Sequence, residues 1–155
     1  MPTAKLYAPK NGLAKVIGGA DDLTAVMLAS RAEARVRGVS DQLRPHVLAA
    51  SDRLIGLASQ SDAEVKANRR QIGELALAIC EVAGAAGLDA IGDVARGIRA
   101  MTESWAQTGI WHSEGFKLHV DALTLLDADP DRSAASSAGL LLRLRHMRAW
   151  LGVAD

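Results

Sequence analysis

The sequence predicts an all-α protein, folded as an antiparallel helical bundle. Hydrophobic residues make up 49% of the 155 residues and only 3% are aromatic, so Ala and Leu dominate the apolar content. Both residue types favour helices, because Ala loses no side-chain entropy in a helix and Leu loses little. No segment alternates apolar and polar residues with the period of two that is typical of a half-buried strand.

The first part of the chain predicts an arm followed by two helices. Residues 1–20 contain prolines and a glycine pair without a helical stripe, which is typical of a flexible arm. A first helix is predicted over residues 21–37, ending at Gly38. Its predicted inner face consists of Leu23, Met27, Ser30 and Ala34. A second helix begins near Ser40, and its apolar stripe consists of Leu43, Val47, Ala50, Leu54 and Leu57.

Four more helices follow. Ser61 and Glu64 have the spacing of a capping box, which predicts the start of the third helix. The fifth helix is predicted to be capped by Ser113 and ended by Pro130, and the sixth covers residues 133–151. The predicted inner face of the third helix consists of Val65, Ile72, Leu75, Ile79 and Val82, and that of the fourth consists of Leu88, Ile91, Ala95, Ile98, Thr102 and Trp105. The predicted inner face of the fifth helix consists of Phe116, Val120, Leu123 and Leu126, and that of the sixth consists of Leu140, Leu144, Met147 and Leu151. The short connections favour one bundle domain over residues 21–155.

Charge and composition argue against several classes of function. Lys and Arg balance Asp and Glu at 18 each, so the chain lacks the positive charge with which proteins bind nucleic-acid phosphates. The most apolar internal stretch, residues 75–90, contains two acids and is too short to span a membrane. Cys80 is the only cysteine, which fits a reducing compartment. We therefore expect a cytoplasmic protein that binds neither nucleic acid nor membrane.

No sequence pattern identifies a catalytic or metal site. The four histidines, His46, His112, His119 and His146, stand at no recurrent ligand spacing from a second His, a Cys or a carboxylate. Cys80 lies in an apolar helix, which favours a packed thiol over a nucleophile. His119 lies beside the stripe of the fifth helix, which favours a packed histidine. We therefore expect no metal, no cofactor and no enzymatic activity.

The connection between the third and fourth predicted helices, residues 81–91, is rich in Gly and Ala. It resembles the core of histidine phosphotransfer (Hpt) domains, in which one helix bears the phosphorylated histidine and a glycine further along begins the next helix. If Gly87 stands at that glycine, Leu77 stands at the histidine, Cys80 at the usual lysine and Glu81 at the usual glycine. The resemblance implies an Hpt-like four-helix core with one or two extra helices, without the phosphoacceptor histidine.

Two further segments extend this likeness. Residues 109–112 and then residues 116–123 follow the Gly- and Ala-rich hairpin in an order that is similar to CheE-type accessory proteins of alphaproteobacterial chemotaxis clusters. The resemblance covers roughly residues 20–150. It implies a role in chemotaxis or two-component signalling, with a response-regulator receiver domain or a histidine kinase as the partner.

Helical geometry places a candidate partner-binding surface on the outer side of the third helix. With Ile72 and Ile79 facing inward, Leu77 points away from the core. The predicted partner-binding residues are Gly73, Leu77, Cys80, Glu81, Gly84 and Gly87. An exposed Leu among small residues suits contact with another protein. Alternatively, another helix of the same chain covers it.

Three functions remain open. The first is a non-catalytic signalling adaptor that docks its partner through this helix face. The second is an active histidine phosphotransfer protein that uses His119 or His46 outside the expected register. The third is a structural helical oligomer. Trp105 and Trp111 could anchor a homodimer or could close one end of the core.

Overall fold

The protein is all-α, as the sequence predicts. The computed structural model describes residues 22–132 and 134–154, and the side chains of all of these except residues 22–25, 134 and 135. Within the described residues there are six helices and no strand: α1 (Asp22–Ala58), α2 (Asp62–Ala67), α3 (Arg69–Val82), α4 (Asp89–Thr108), α5 (Ser113–Ala128) and α6 (Ala134–Trp150). The predicted arm at residues 1–20 lies outside the described residues.

α1 is one continuous helix where the sequence predicts two. The predicted end at Gly38 is wrong, because the helix continues through both Gly38 and Pro45. A glycine within a helix costs about 1 kcal/mol relative to alanine, and a proline costs about 3 kcal/mol because it removes one backbone hydrogen bond. These costs weaken the helix locally without ending it. Gly38 therefore does not end a helix, and Pro45 lies inside the helix and not near its start.

The predicted inner face of the first segment is also wrong. Met27, Ser30 and Ala34 are exposed, and the side chain of Leu23 lies outside the described ones. A helical period identifies which residues share a face, but it does not say whether anything covers that face. The chain divides into two compact units, Met1–Gly38 and Val39–Asp155, so the division falls within α1.

The predicted third helix is divided in two at Asn68. The capping box at its start is confirmed, since the Ser61 N–H donates to Glu64 Oε2 at 3.1 Å and the Glu64 N–H donates to Ser61 Oγ at 3.4 Å. α2 then ends at Ala67, and Asn68 has φ −92° and ψ 8°, outside the helical region. The Asn68 side chain does not cap α3, and its Nδ2 donates to Gln60 Oε1, 3.2 Å away.

α4 is the central helix of the second unit, and it packs against α3, α5 and α6. Its buried residues are Ile91, Gly92, Val94, Ala95, Gly97, Ile98, Met101 and Thr102. The predicted inner faces of α4 and α5 are confirmed, apart from Trp105, which is half-buried. Gly87 joins α3 to α4 with φ 69°, a left-handed conformation that favours glycine.

The second part of α1 runs antiparallel to α5. Arg44 of α1 forms a 2.5 Å ion pair with Asp131, which follows the end of α5. At the other end, the Ser113 hydroxyl at the start of α5 donates to Asp62 Oδ1, 2.9 Å away, at the start of α2. The prediction that Ser113 caps this helix is wrong, because Ser113 is the first residue of α5 and His112 precedes it as the cap position. The Ser113 side chain instead connects the starts of α5 and α2.

Asp127 of α5 lies beside Asp52 of α1, a pair that no sequence pattern indicates because the two residues lie on different helices. Burial, followed by the charge of Asp52, raises the pKa of Asp127. A carboxyl whose pKa is raised in the folded state binds its proton more tightly there than in the unfolded chain. The Asp52–Asp127 pair therefore reduces the stability of the fold least at low pH, and it destabilises the fold once Asp127 ionises.

We therefore expect Asp52→Asn to increase the free energy of unfolding at neutral pH, because it removes the like charge. Below the ordinary carboxyl pKa the variant and the parent should be equally stable. Urea denaturation at the two pH values measures this difference. Asp41→Asn, at an exposed acid on the same helix, is the matched control. Equal effects of the two substitutions at neutral pH would contradict the assigned interaction.

Candidate partner-binding surface

Leu77 faces away from the core. α3 buries Ile72, Ala76 and Ile79, and Leu77 lies almost on the opposite side of the helix. Leu77 is half-buried and does not belong to the set of apolar residues that form or line the core. This agrees with the predicted orientation.

Two of the predicted partner-binding residues face α4 instead. A Cβ atom on Gly73 would lie 3.7 Å from Thr102 Oγ1, in ordinary contact distance, so Gly73 faces α4. Cys80 packs against the core, and its thiol lies 3.5 Å from the carbonyl oxygen of Gly92, to which it can donate. The residues directed outward are Leu77, Glu81 and Gly84, which we call the outer face of α3.

Cys80 is a packed thiol, as the sequence predicts. Burial raises the pKa of the Cys80 thiol, although the charges of Arg96 and Arg99 act in the opposite direction. Raising the pKa reduces the fraction of thiolate, which is the nucleophilic form. This environment therefore makes Cys80 less reactive than an exposed cysteine.

Gly84 and Gly87 are exposed at the end of the outer face of α3. A Cβ atom on Gly84 would lie 3.4 Å from Asp89 Oδ1, which belongs to the first residue of α4. A larger side chain at this position therefore has to project toward solvent. Without one, the backbone of the α3–α4 connection is open to close approach by another molecule.

A groove of about 540 Å³ lies beside Cys80, along α4 and the C-terminal residues. Arg96 pairs with Asp93 at 2.5 Å and Arg99 pairs with Glu103 at 2.6 Å, so acids balance these two cations. A surface with paired charges around a shallow groove suits a protein partner better than a free anion. The groove is lined by Cys80 and by residues of α4 but not by Leu77, Glu81 or Gly84, so it is separate from the outer face of α3.

His119 is fully buried, and both of its ring nitrogens have neighbours. Nδ1 lies 2.9 Å from the carbonyl oxygen of Gly115, and Nε2 lies 3.1 Å from Nη1 of Arg148. Since a carbonyl can only accept and a guanidinium can only donate, Nδ1 carries the proton and Nε2 accepts from Arg148. Burial lowers the pKa of His119, the hydrogen bond to the Gly115 carbonyl opposes this effect, and the charge of Arg148, the smallest of the three contributions, lowers the pKa further.

The two candidate phosphoacceptors differ in access. The prediction that His119 is a packed histidine is confirmed, and a phosphoryl group could reach neither nitrogen without displacing Gly115 or Arg148. His46 is exposed on α1. The contact between His119 and Arg148 could not be found from the sequence, because the two residues lie 29 positions apart on different helices.

Trp105 and Trp111 lie together at one end of the second unit. Their ring centroids are 5.5 Å apart, and the Trp111 centroid lies 4.9 Å from that of the buried Phe116. Lys66 and Arg69 lie over the Trp105 ring, at 5.9 Å and 5.3 Å from its centroid. Contacts of this kind favour the interpretation that the tryptophans close the core.

Residues 22–132 and 134–154 contain no group of three or more His, Cys, Asp or Glu side chains that could hold a metal ion. None of the helices in these two ranges has the length and apolar content needed to cross a membrane. Comparison with known proteins finds no matching family model, no similar curated protein and no similar solved structure.

Proposed function

We propose that this protein is a signalling adaptor that acts by docking, and that the outer face of α3 binds a response-regulator receiver domain or a histidine kinase. The observation that carries the proposal is Leu77, a large, half-buried apolar side chain that lies outside the core, on the side of α3 away from Ile72 and Ile79. Gly84 keeps the adjoining backbone accessible, and Glu81 supplies a charge at the rim. An apolar contact with a polar rim is the usual anatomy of a protein interface.

The class of partner comes from the Hpt resemblance. In that register Leu77 stands where the phosphoacceptor histidine would be. A receiver domain that recognises the surrounding helical hairpin could then bind without losing its phosphoryl group, because a leucine side chain cannot accept one. Such an adaptor would act by occupying the binding surface of its partner.

We expect Leu77→Asp and Gly84→Glu each to weaken partner binding about tenfold or more, which corresponds to at least about 1.4 kcal/mol. The first change places a charge in an apolar contact, and the second blocks the close approach. Calorimetric titration with receiver domains and histidine kinases from the same organism measures the effect.

Leu142→Asp and Gly139→Glu are matched controls for these two substitutions. Both positions lie on the exposed side of α6, and a Cβ atom on Gly139 would have no neighbour within 4 Å. Circular dichroism first verifies that all four variants are folded. If the α3 variants bind like the parent, or if the controls lose binding equally, the assigned surface is wrong.

A phosphorylation assay separates the adaptor from the phosphotransfer alternative. After incubation with a phosphorylated receiver domain, we expect no acid-labile phosphate on the protein. If phosphate were transferred and His46→Gln abolished the transfer, the protein would be a phosphotransferase and the adaptor proposal would fail.

A further inference from the structure

The first part of α1 exposes a concentration of large apolar side chains. Val26, Met27, Leu28, Val36 and Val39 are between 52% and 68% exposed. Scattered apolar residues on a surface are ordinary, but Leu28, Val36 and Val39 lie within about 80° of one another around the helix and form one exposed apolar face, which is typical of an interaction site.

These residues include the continuation of a stripe that is buried further along the same helix. Val47 and Leu54 contribute to the core. Stepping back from Val47 by intervals of three and four residues leads to a set of apolar positions on the same side of α1, namely Leu43, Val39, Val36, Ala32 and Ala29. The last four are exposed. The pattern of a packed helix is therefore present where packing is missing.

The charge of this helix segment restricts what can cover it. Residues 26–39 carry Arg31, Arg35 and Arg37 against Glu33, a net charge of +2. Two copies of the segment would repel each other if they paired directly. An acidic apolar face is the complementary surface.

The outer side of α5 presents such a face. Glu114, Leu118, Asp121 and Leu125 recur at intervals of four, three and four residues, so they form one stripe. All four are exposed, with Leu118 at 51% and Leu125 at 47%. Over Ser113–Ala128 the acids Glu114, Asp121 and Asp127 outnumber Lys117, which gives a net charge of −2.

We propose that two copies of this chain associate through these faces, with the basic apolar face of α1 from one copy seated on the acidic apolar face of α5 from the other. The stripes match in length, because residues 28–39 and residues 114–125 each extend about 17 Å along a helix. A reciprocal exchange of α1 segments would give a closed dimer containing two such contacts. This surface is separate from the outer face of α3, so the two proposals succeed or fail independently.

Analytical ultracentrifugation of the full chain over a range of concentrations tests the association. We expect the parent to form a dimer and Val36→Glu to sediment as a monomer, because the new carboxylate would face the acidic stripe. The fold should survive, since Val36 is exposed, and circular dichroism verifies this. Leu142→Glu, at another exposed apolar position on α6, should leave the dimer intact.

Substitutions that reverse one charge on each face test whether these two faces contact each other in the dimer. We expect Arg35→Glu and Asp121→Arg each to raise the dimer dissociation constant about tenfold, and the double variant to restore most of the loss, because it recreates an opposite-charge pair. A parent that stays monomeric at every concentration would overturn the proposal. So would a dimer that none of these substitutions weakens, or one that Leu77→Asp dissociates instead.

Discussion

Gly97→Ala is expected to lower the free energy of unfolding by about 3 kcal/mol, at the upper end of the cost of overpacking a core. Gly97 lies on the buried side of α4, where a Cβ atom would be 2.5 Å from His119 Nε2 and 2.6 Å from Arg148 Nη1. Neither neighbour can give way cheaply. The His119 ring is held at both nitrogens, and Arg148 is itself only 4% exposed.

Other glycines of the chain provide graded controls for Gly97→Ala. At Gly115 the new Cβ would meet Leu151 Cδ1 at 2.8 Å and Met101 Cε at 3.1 Å, which are the ends of flexible side chains, so Gly115→Ala should cost less. Gly56 and Gly139 have no neighbour within 4 Å and lie on exposed helix surfaces. Alanine there should stabilise the protein by up to about 1 kcal/mol through helix propensity.

Urea denaturation of the four Gly→Ala variants gives the comparison. The expected order of stability places the variants at Gly56 and Gly139 highest, the Gly115 variant next, and the Gly97 variant lowest. If Gly97→Ala were as stable as Gly139→Ala, the Cβ position of residue 97 would have to lie further than 2.5 Å from His119 Nε2.

The sequence predicts the helices of the second unit well because their inner faces are local and periodic. In α4, Ile91, Ala95 and Ile98 recur at helical spacing and are all buried. In α1 the same reasoning identifies a stripe but fails to predict its exposure, because covering a face depends on other elements. It also treats Gly38 as a helix end, although one residue of low propensity can be outweighed by the rest of a long helix.

The candidate surface is predicted only in part, for a related reason. Helical geometry correctly places Leu77 opposite Ile79, because that relation is internal to α3. Helical geometry does not determine whether Gly73 and Cys80 contact α4. Both residues lie between the inner and outer sides of α3, so their environment depends on the angle at which α4 crosses. The neighbours of His119 also cannot be predicted from the sequence, since they follow from the packing of α4, α5 and α6.

Stability is expected to fall as the pH is lowered below about 6.5, because of His119. The ordinary pKa of the ring is 6.5, and burial lowers the pKa in the folded state. Above 6.5 the ring is neutral in both states, so its contribution to stability is fully present. Below 6.5 the unfolded chain takes up a proton that the folded state resists, and this contribution is lost as the pH falls toward the folded pKa. The loss amounts to at most about 1.4 kcal/mol per pH unit.

The physical cause of this loss is the neighbourhood of the ring. Protonation would remove the lone pair on Nε2 that accepts from Arg148, and it would place two cations 3.1 Å apart in a buried site. His119→Gln abolishes the titration. We therefore expect it to be less stable than the parent at pH 8 but to lose less stability between pH 8 and pH 5. His46→Gln, at an exposed histidine, should retain the parent's pH dependence. Urea denaturation across this range measures both, and equal pH slopes for the parent and His119→Gln would show that His119 is not the group responsible.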